Sequence, residues 1–69
     1  MPLTMANIGE LNTIKRIGGN EDTRRFLANL GFVVDAEVTV VSAISGNVIV
    51  NIKDSRVAVN ADMARHIMI

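Results

Sequence analysis

A small, mainly β domain carrying one short helix is the fold class that this sequence predicts, and three observations predict it. Apolar and polar residues alternate in several short runs bounded by Gly, Asn, Asp or Ser, which is the period of half-buried strands. Only one segment, Asn20 to Gly31, repeats its apolar residues at the helical period with both ends marked. The later runs are joined by tight turn signals, so they read as a meander. Short strands connected in this way favour a small barrel, because closure removes exposed strand edges. The expectation is a five-stranded barrel with the helix between its first two strands.

Residues Met1 to Asn7 read as a lead-in with an edge strand around Leu3, and Ile8-Gly9-Glu10 as a turn. Leu11 to Ile17 is the first predicted strand, ended by Gly18-Gly19-Asn20. Asn20 then caps the helix through its side-chain oxygen, with Glu21 and Asp22 where the helix dipole favours negative charge. Thr23, Phe26, Leu27 and Leu30 fall at i, i+3, i+4 and i+7, which assigns all four to the core face. Gly31 follows as a left-handed closing residue. Val33 to Ala36 is a connector, and Glu37 to Ala43 a second strand with Val38 and Val40 on one face. Ser45-Gly46-Asn47 signals a turn into Asn47 to Lys53, whose Val48, Val50 and Ile52 alternate most cleanly. Asp54-Ser55 reads as a hairpin into Arg56 to Asn60, with Val57 and Val59 facing in. Ala61 to Arg65 reads as one helical turn and Ile67 to Ile69 as a last strand.

Composition limits the function. The 69 residues make one domain, 1–69, and 49 % apolar residues are enough for a compact core. Cysteine is absent, which excludes disulfides and thiolate metal sites. No apolar run approaches the ~18–20 residues needed to span a bilayer. The N-terminus lacks a basic region followed by an apolar run, so a cytoplasmic location is expected. Seven basic and seven acidic residues cancel and are scattered, which leaves no basic footprint for nucleic acid. Phe26 and Phe32 are the only aromatics, too few to stack bases or build an aromatic peptide groove.

Residues that could carry chemistry are sparse. Gly18-Gly19-Asn20 lacks the glycine spacing and Lys-Ser/Thr of a phosphate loop and reads as strand-to-helix punctuation. Asp62 and His66 stand four apart, a spacing that can begin a metal site although closed sites usually need four ligands. The alternative is that Asp62 caps its turn and His66 is a solvated surface residue. Arg24 and Arg25 form a positive spot on the outer side of the helix, either solvated or in contact with a partner. Phe32, Val33 and Val34 are three successive apolar residues in a connector, and need burial or a partner. Met63 and Met68 read as gap fillers near the core. No catalytic constellation and no cofactor site emerges.

Taken together, Arg24-x-x-Leu27-x-x-Leu30-Gly31-Phe32 and the following Val38-Thr39-Val40 resemble the FeoA domain family. Gly9, Ile17-x-Gly19, Ile49-Val50, Arg56-Val57-Ala58-Val59 and Ala64-x-x-Ile67-x-Ile69 agree in order and spacing, so the resemblance spans about Ile8 to Ile69. It implies a five-stranded SH3-like barrel and a small cytoplasmic accessory or regulatory protein of bacterial ferrous iron uptake. Such a protein acts beside FeoB, a membrane permease with a cytoplasmic G-protein domain, and is not an enzyme. Arg24, Arg25, Phe32, Val33 and Val34 are then the candidate partner-binding residues. Related domains end iron-dependent repressors, but no helix-turn-helix region precedes the barrel here, so a whole repressor is not expected. The chain departs from the family where Val34-Asp35 replaces a frequent Pro-Gly, where Gly46-Asn47 lacks a common Pro, and where Phe26 replaces a frequent basic residue. Competing readings are a metal-binding carrier and a small-barrel nucleic-acid-binding module. A homo-oligomer is left open.

Overall fold

The computed structural model describes all residues, 1–69. After a 3-10 turn at Leu3–Met5 come β1 (Leu11–Thr13), β2 (Arg16–Ile17), α1 (Glu21–Asn29), β3 (Glu37–Ile44), β4 (Asn47–Ile52), β5 (Ser55–Asn60), α2 (Ala61–Ala64) and β6 (Ile67–Met68). β1, β3, β4 and β5 form a four-stranded antiparallel sheet in that order, and β2 pairs with β6 in a second, two-stranded sheet. The expected five-stranded closed barrel is therefore corrected to six strands in two sheets, with α1 after the second strand instead of the first.

The correction has a definite origin. The predicted strand from Leu11 to Ile17 changes partners in its middle. Ile14 N–H donates to Ala36 O (2.9 Å) and Asp35 N–H donates to Ile14 O (2.8 Å), while Lys15 N–H donates to Met68 O (2.7 Å). One continuous segment thus serves β3 on one side of the break and β6 on the other. Ile14 sits at the break with its side chain fully buried. Strands that switch sheets at such a corner let two small sheets enclose one core. The predicted edge strand at Leu3 is instead the 3-10 turn, which buries Leu3 in the core, and only Pro2 makes a β-bridge, to Met68.

The helix ends as its sequence dictates, and the ending positions an aromatic residue. Asn20 Oδ1 accepts from Thr23 N–H at 2.8 Å, closing the first turn. At the other end, Gly31 has φ 103° and its N–H donates to Ala28 O, while Phe32 N–H donates to Leu27 O, both at 2.9 Å. These paired bonds are a Schellman closure, which reverses the chain so that the residue after the glycine returns toward the last turn. Leu27 and Phe32 are the two residues this closure brings together, and both are completely buried in one core cluster. Phe26 is 47 % exposed and so is not a core residue. Only Leu27 is buried on α1, flanked by half-buried Thr23 and Leu30, so the buried stripe is narrower than the spacing suggested.

Both hairpins use two-residue turns with left-handed backbone at each position, the geometry that follows strand twist. In the first these are Ser45 and Gly46 (φ 48° and 81°), and in the second Lys53 and Asp54 (φ 50° and 63°). The second turn lies one residue before the expected Asp54-Ser55. The shift lets all six residues of β4 pair with all six of β5, from Ile52↔Ser55 to Asn47↔Asn60. Asp35 has φ 72°, so it occupies in left-handed geometry the place where the resembling family frequently has Gly, and only its backbone N–H is engaged.

Two stability measurements follow. Leu27→Ala is expected to lose about 2–5 kcal/mol and Phe32→Ala about 3–5 kcal/mol, a large share of the stability of so small a domain. Urea unfolding read by circular dichroism measures both, and Leu30→Ala at its half-buried position should lose less than either. Asp35→Gly is expected to keep or raise stability, by up to about 1 kcal/mol, because it removes the left-handed strain without losing a side-chain bond. Asp35→Val should lose about 1–2 kcal/mol at the same position. A clear loss in Asp35→Gly would mean that the carboxylate contributes to folding.

Candidate functional site

All 13 buried residues are apolar, so every ionisable side chain that could act on another molecule lies at or near the surface. Three surface regions hold the side chains available for contact with another molecule, each built from a different set of elements.

The first is the outer side of α1 with the connector that follows it. Arg24, Arg25 and Phe26 are consecutive and exposed. Arg25 pairs with Glu21 one turn earlier at 3.1 Å, both side chains being largely solvated, so the pair contributes only a few tenths of a kcal/mol. Arg24 Nη1 donates to Gly19 O at 3.4 Å, a long bond that leaves the guanidinium available. After the helix, Val33 and Val34 are 38 % and 54 % exposed, whereas Phe32 is completely buried. Phe32 therefore cannot be the apolar centre of a partner surface, because the Schellman closure commits it to the core. Phe26 carries the exposed aromatic ring instead. Sequence reasoning missed it because i+3 spacing from Thr23 placed it on the stripe. Only Leu27 of the nine-residue helix reaches the core, so Phe26 was left outside.

The second region holds Asp62 and His66, on and just after α2. The cap of α2 is Asn60, whose Oδ1 accepts from Met63 N–H at 2.8 Å, and not Asp62. Asp62 instead pairs with Arg65. His66 is half-buried and not a freely solvated residue. Its carbonyl accepts from Gly18 N–H at 2.7 Å, and its ring lies against Gly19. A Cβ on Gly19 would come within 3.1 Å of Thr23 and 3.4 Å of the His66 ring, and Gly19 has φ 88°. The double glycine thus joins strand to helix and lets His66 pack closely. Nowhere does the chain bring three or more His, Asp or Glu side chains into a metal-holding group.

The third region is an open depression of about 660 Å³ over β1, β3 and the β4–β5 hairpin. Leu11, Ala36 and Ile52 are its apolar lining, and Asp35, Glu37, Lys53 and Asp54 its charged lining. Three of these, Asp35, Lys53 and Asp54, have left-handed backbone. No sequence signal marked the depression, because strand register assembles it: Leu11 lies beside Thr39, and Thr39 beside Asn51. No helix is long and apolar enough to cross a membrane.

The fold has close counterparts among solved structures. A FeoA described as an iron uptake regulatory protein matches with a TM-score of 0.89 at 24 % identity, over 97 % of this chain and 91 % of that one. A manganese-dependent transcriptional repressor matches with a TM-score of 0.88 at 23 % identity, over 97 % of this chain but only 39 % of the repressor. A FeoA from Stenotrophomonas maltophilia, complexed with zinc and described as an SH3 domain protein, matches with a TM-score of 0.82 at 23 % identity, over 99 % of this chain and 87 % of that one. At these identities the likenesses show the fold, which is mainly β and SH3-like. No curated protein matches the sequence. The model of the FeoA domain matches residues 1–69, the whole chain, and the protein therefore belongs to the FeoA domain family, which is associated with ferrous iron transport.

Proposed function

We propose that this protein is a cytoplasmic accessory component of ferrous iron uptake that acts by binding the cytoplasmic part of a FeoB-type permease, without catalysis and without carrying iron itself. The observation that carries this reading is the full-length match to the FeoA domain over residues 1–69. The distribution of chemistry supports it. The core is wholly apolar, the charges are balanced and exposed, and the protruding features are apolar side chains beside arginines. That combination suits a modest protein interface, in which an apolar centre excludes water and guanidinium groups form the rim.

The proposed contact surface is the outer side of α1 and the connector after it. We assign Phe26, Val33 and Val34 to its apolar part and Arg25 to its polar edge, with Arg24 on the far flank of the helix from Phe26 and Phe32 acting only from beneath by fixing the connector. Phe26 is the natural anchor, since a rigid aromatic side chain buries a large area at small entropic cost.

The test is iron-dependent growth of cells lacking the endogenous protein, complemented by each variant, together with pull-down of the permease. Phe26→Ala should weaken permease binding by ~2 kcal/mol, roughly thirtyfold, while the domain stays folded. Val34→Asp should act in the same direction, and Arg24→Ala should have a smaller, salt-dependent effect. Full complementation and unchanged pull-down by the Phe26→Ala/Val34→Asp double variant would remove this surface from the proposal. A metal carrier predicts a different pattern, with His66→Ala impaired and Phe26→Ala normal. Failure of the wild-type protein to bind the permease in several detergents would overturn the accessory reading itself.

A further inference from the structure

Edge strands expose unpaired N–H and C=O groups that another chain can take up, and proteins commonly guard them by shortness, charge, proline or a bulge. β1, with three residues, and β2 and β6, with two each, are guarded by shortness, and Pro2 lies against Met68. β5 is different. It forms the outer edge of the four-stranded sheet and runs for six residues in unbroken register with β4. It contains no proline, and its only charge is Arg56.

The direction of its backbone groups follows from the turn. A two-residue turn at Lys53-Asp54 closes on a hydrogen-bonded pair, Ile52↔Ser55, so Val50↔Val57 and Val48↔Val59 are the next bonded pairs. Arg56 and Ala58 therefore direct their N–H and C=O groups away from β4. Neither takes part in a backbone bond outside the strand ladder. Ala58 is exposed and small enough for close approach.

We infer that β5 pairs antiparallel with β5 of a second copy of this chain, on a two-fold axis at Ala58, and joins the two four-stranded sheets into one. The strand is self-complementary in this register and poorly so in others. Outward-facing residues must oppose outward-facing residues, which restricts the axis to a residue position and excludes the midpoint between two residues. An axis at Arg56 would set two guanidinium groups against each other. An axis at Val57 would set each Val59 against a polar Ser55. With the axis at Ala58, outward-facing Arg56 stands opposite uncharged Asn60 and the smallest side chain lies at the centre, while Val57 and the core residue Val59 share the inner face. This inference is independent of the permease reading, since its surface lies on the sheet edge and not on α1.

The experiment uses the intact chain and its natural lack of cysteine. Sedimentation equilibrium of the wild type up to about 1 mM, a concentration that reveals even weak pairing, should give a mass approaching twice the 7.5 kDa of one chain. Ala58→Lys places two ammonium groups at the axis, and should weaken the dimer at least about tenfold while circular dichroism stays unchanged. Ala58→Cys should crosslink to itself on mild oxidation, because opposed bonded residues stand ~5.5 Å apart at Cα, within reach of a disulfide. Arg56→Cys should not, because the register separates the two copies of that residue by ~14 Å. A 7.5 kDa mass throughout the concentration range, a dimer indifferent to Ala58→Lys, or Arg56→Cys crosslinking as fast as Ala58→Cys would each overturn the inference.

Discussion

The structure depends on the reversal of the chain at Gly31. Left-handed backbone there lets Phe32 N–H return to Leu27 O and carries the phenyl ring into the core beside the single buried residue of α1. The helix has little else to hold it, since Thr23 and Leu30 are only half-buried and its ion pair is solvated. An isolated helix of nine residues is unstable in water, so its persistence rests on this tertiary anchor more than on its own hydrogen bonds. The same reversal sets where the connector emerges, and so where Val33 and Val34 meet solvent. Core packing and surface chemistry are thus tied together by one residue whose backbone angle is suited to glycine.

A second constraint acts at Ile14 and Lys15, where the first predicted strand is shared between two sheets. Neither sheet could bury its inner face alone, because one has four strands and the other only two. Partner exchange in mid-strand places both around the same buried residues, from Leu3 and Ile14 to Ile67 and Ile69. The ends of the chain join this arrangement: Ile69 N–H donates to Met1 O at 2.8 Å, and the terminal ammonium of Met1 donates to Ile69 O at 3.2 Å. The core is therefore closed by side chains and termini, not by a continuous ring of strands.

These constraints also set where the polar side chains lie. The core is filled by aliphatic side chains and one phenyl ring, and the carboxylates and the imidazole lie outside it. The polar side chains that fold the chain do so locally, Asn20 and Asn60 as helix caps and Asp35 as a left-handed turn residue. At the surface stand exposed apolar side chains, arginines and the long edge of β5.

The sequence by itself determined whatever rests on interactions between near neighbours. Asn20 and Gly31 bounded the helix, and alternation at Val48, Val50 and Ile52 marked β4, whereas left-handed backbone at Asp35 followed only from the resemblance, through the frequent Gly at that place. The chain-long pattern that resembled FeoA domains was legible for the same reason, being a series of local signals in a fixed order. Of the candidate surface, Arg24 and Arg25 could be read as exposed and Val33 and Val34 were open between burial and a partner, whereas the two phenylalanines were assigned the wrong way round. Tertiary structure alone decided that exchange, because helical spacing gives a direction around an axis but not how much of the helix the core will cover. It also decided the splitting of the first strand at Ile14 and the assembly of the depression from β1, β3 and the β4–β5 hairpin. Both depend on which distant backbone groups find partners, and a residue's type does not record the strand that will lie beside it.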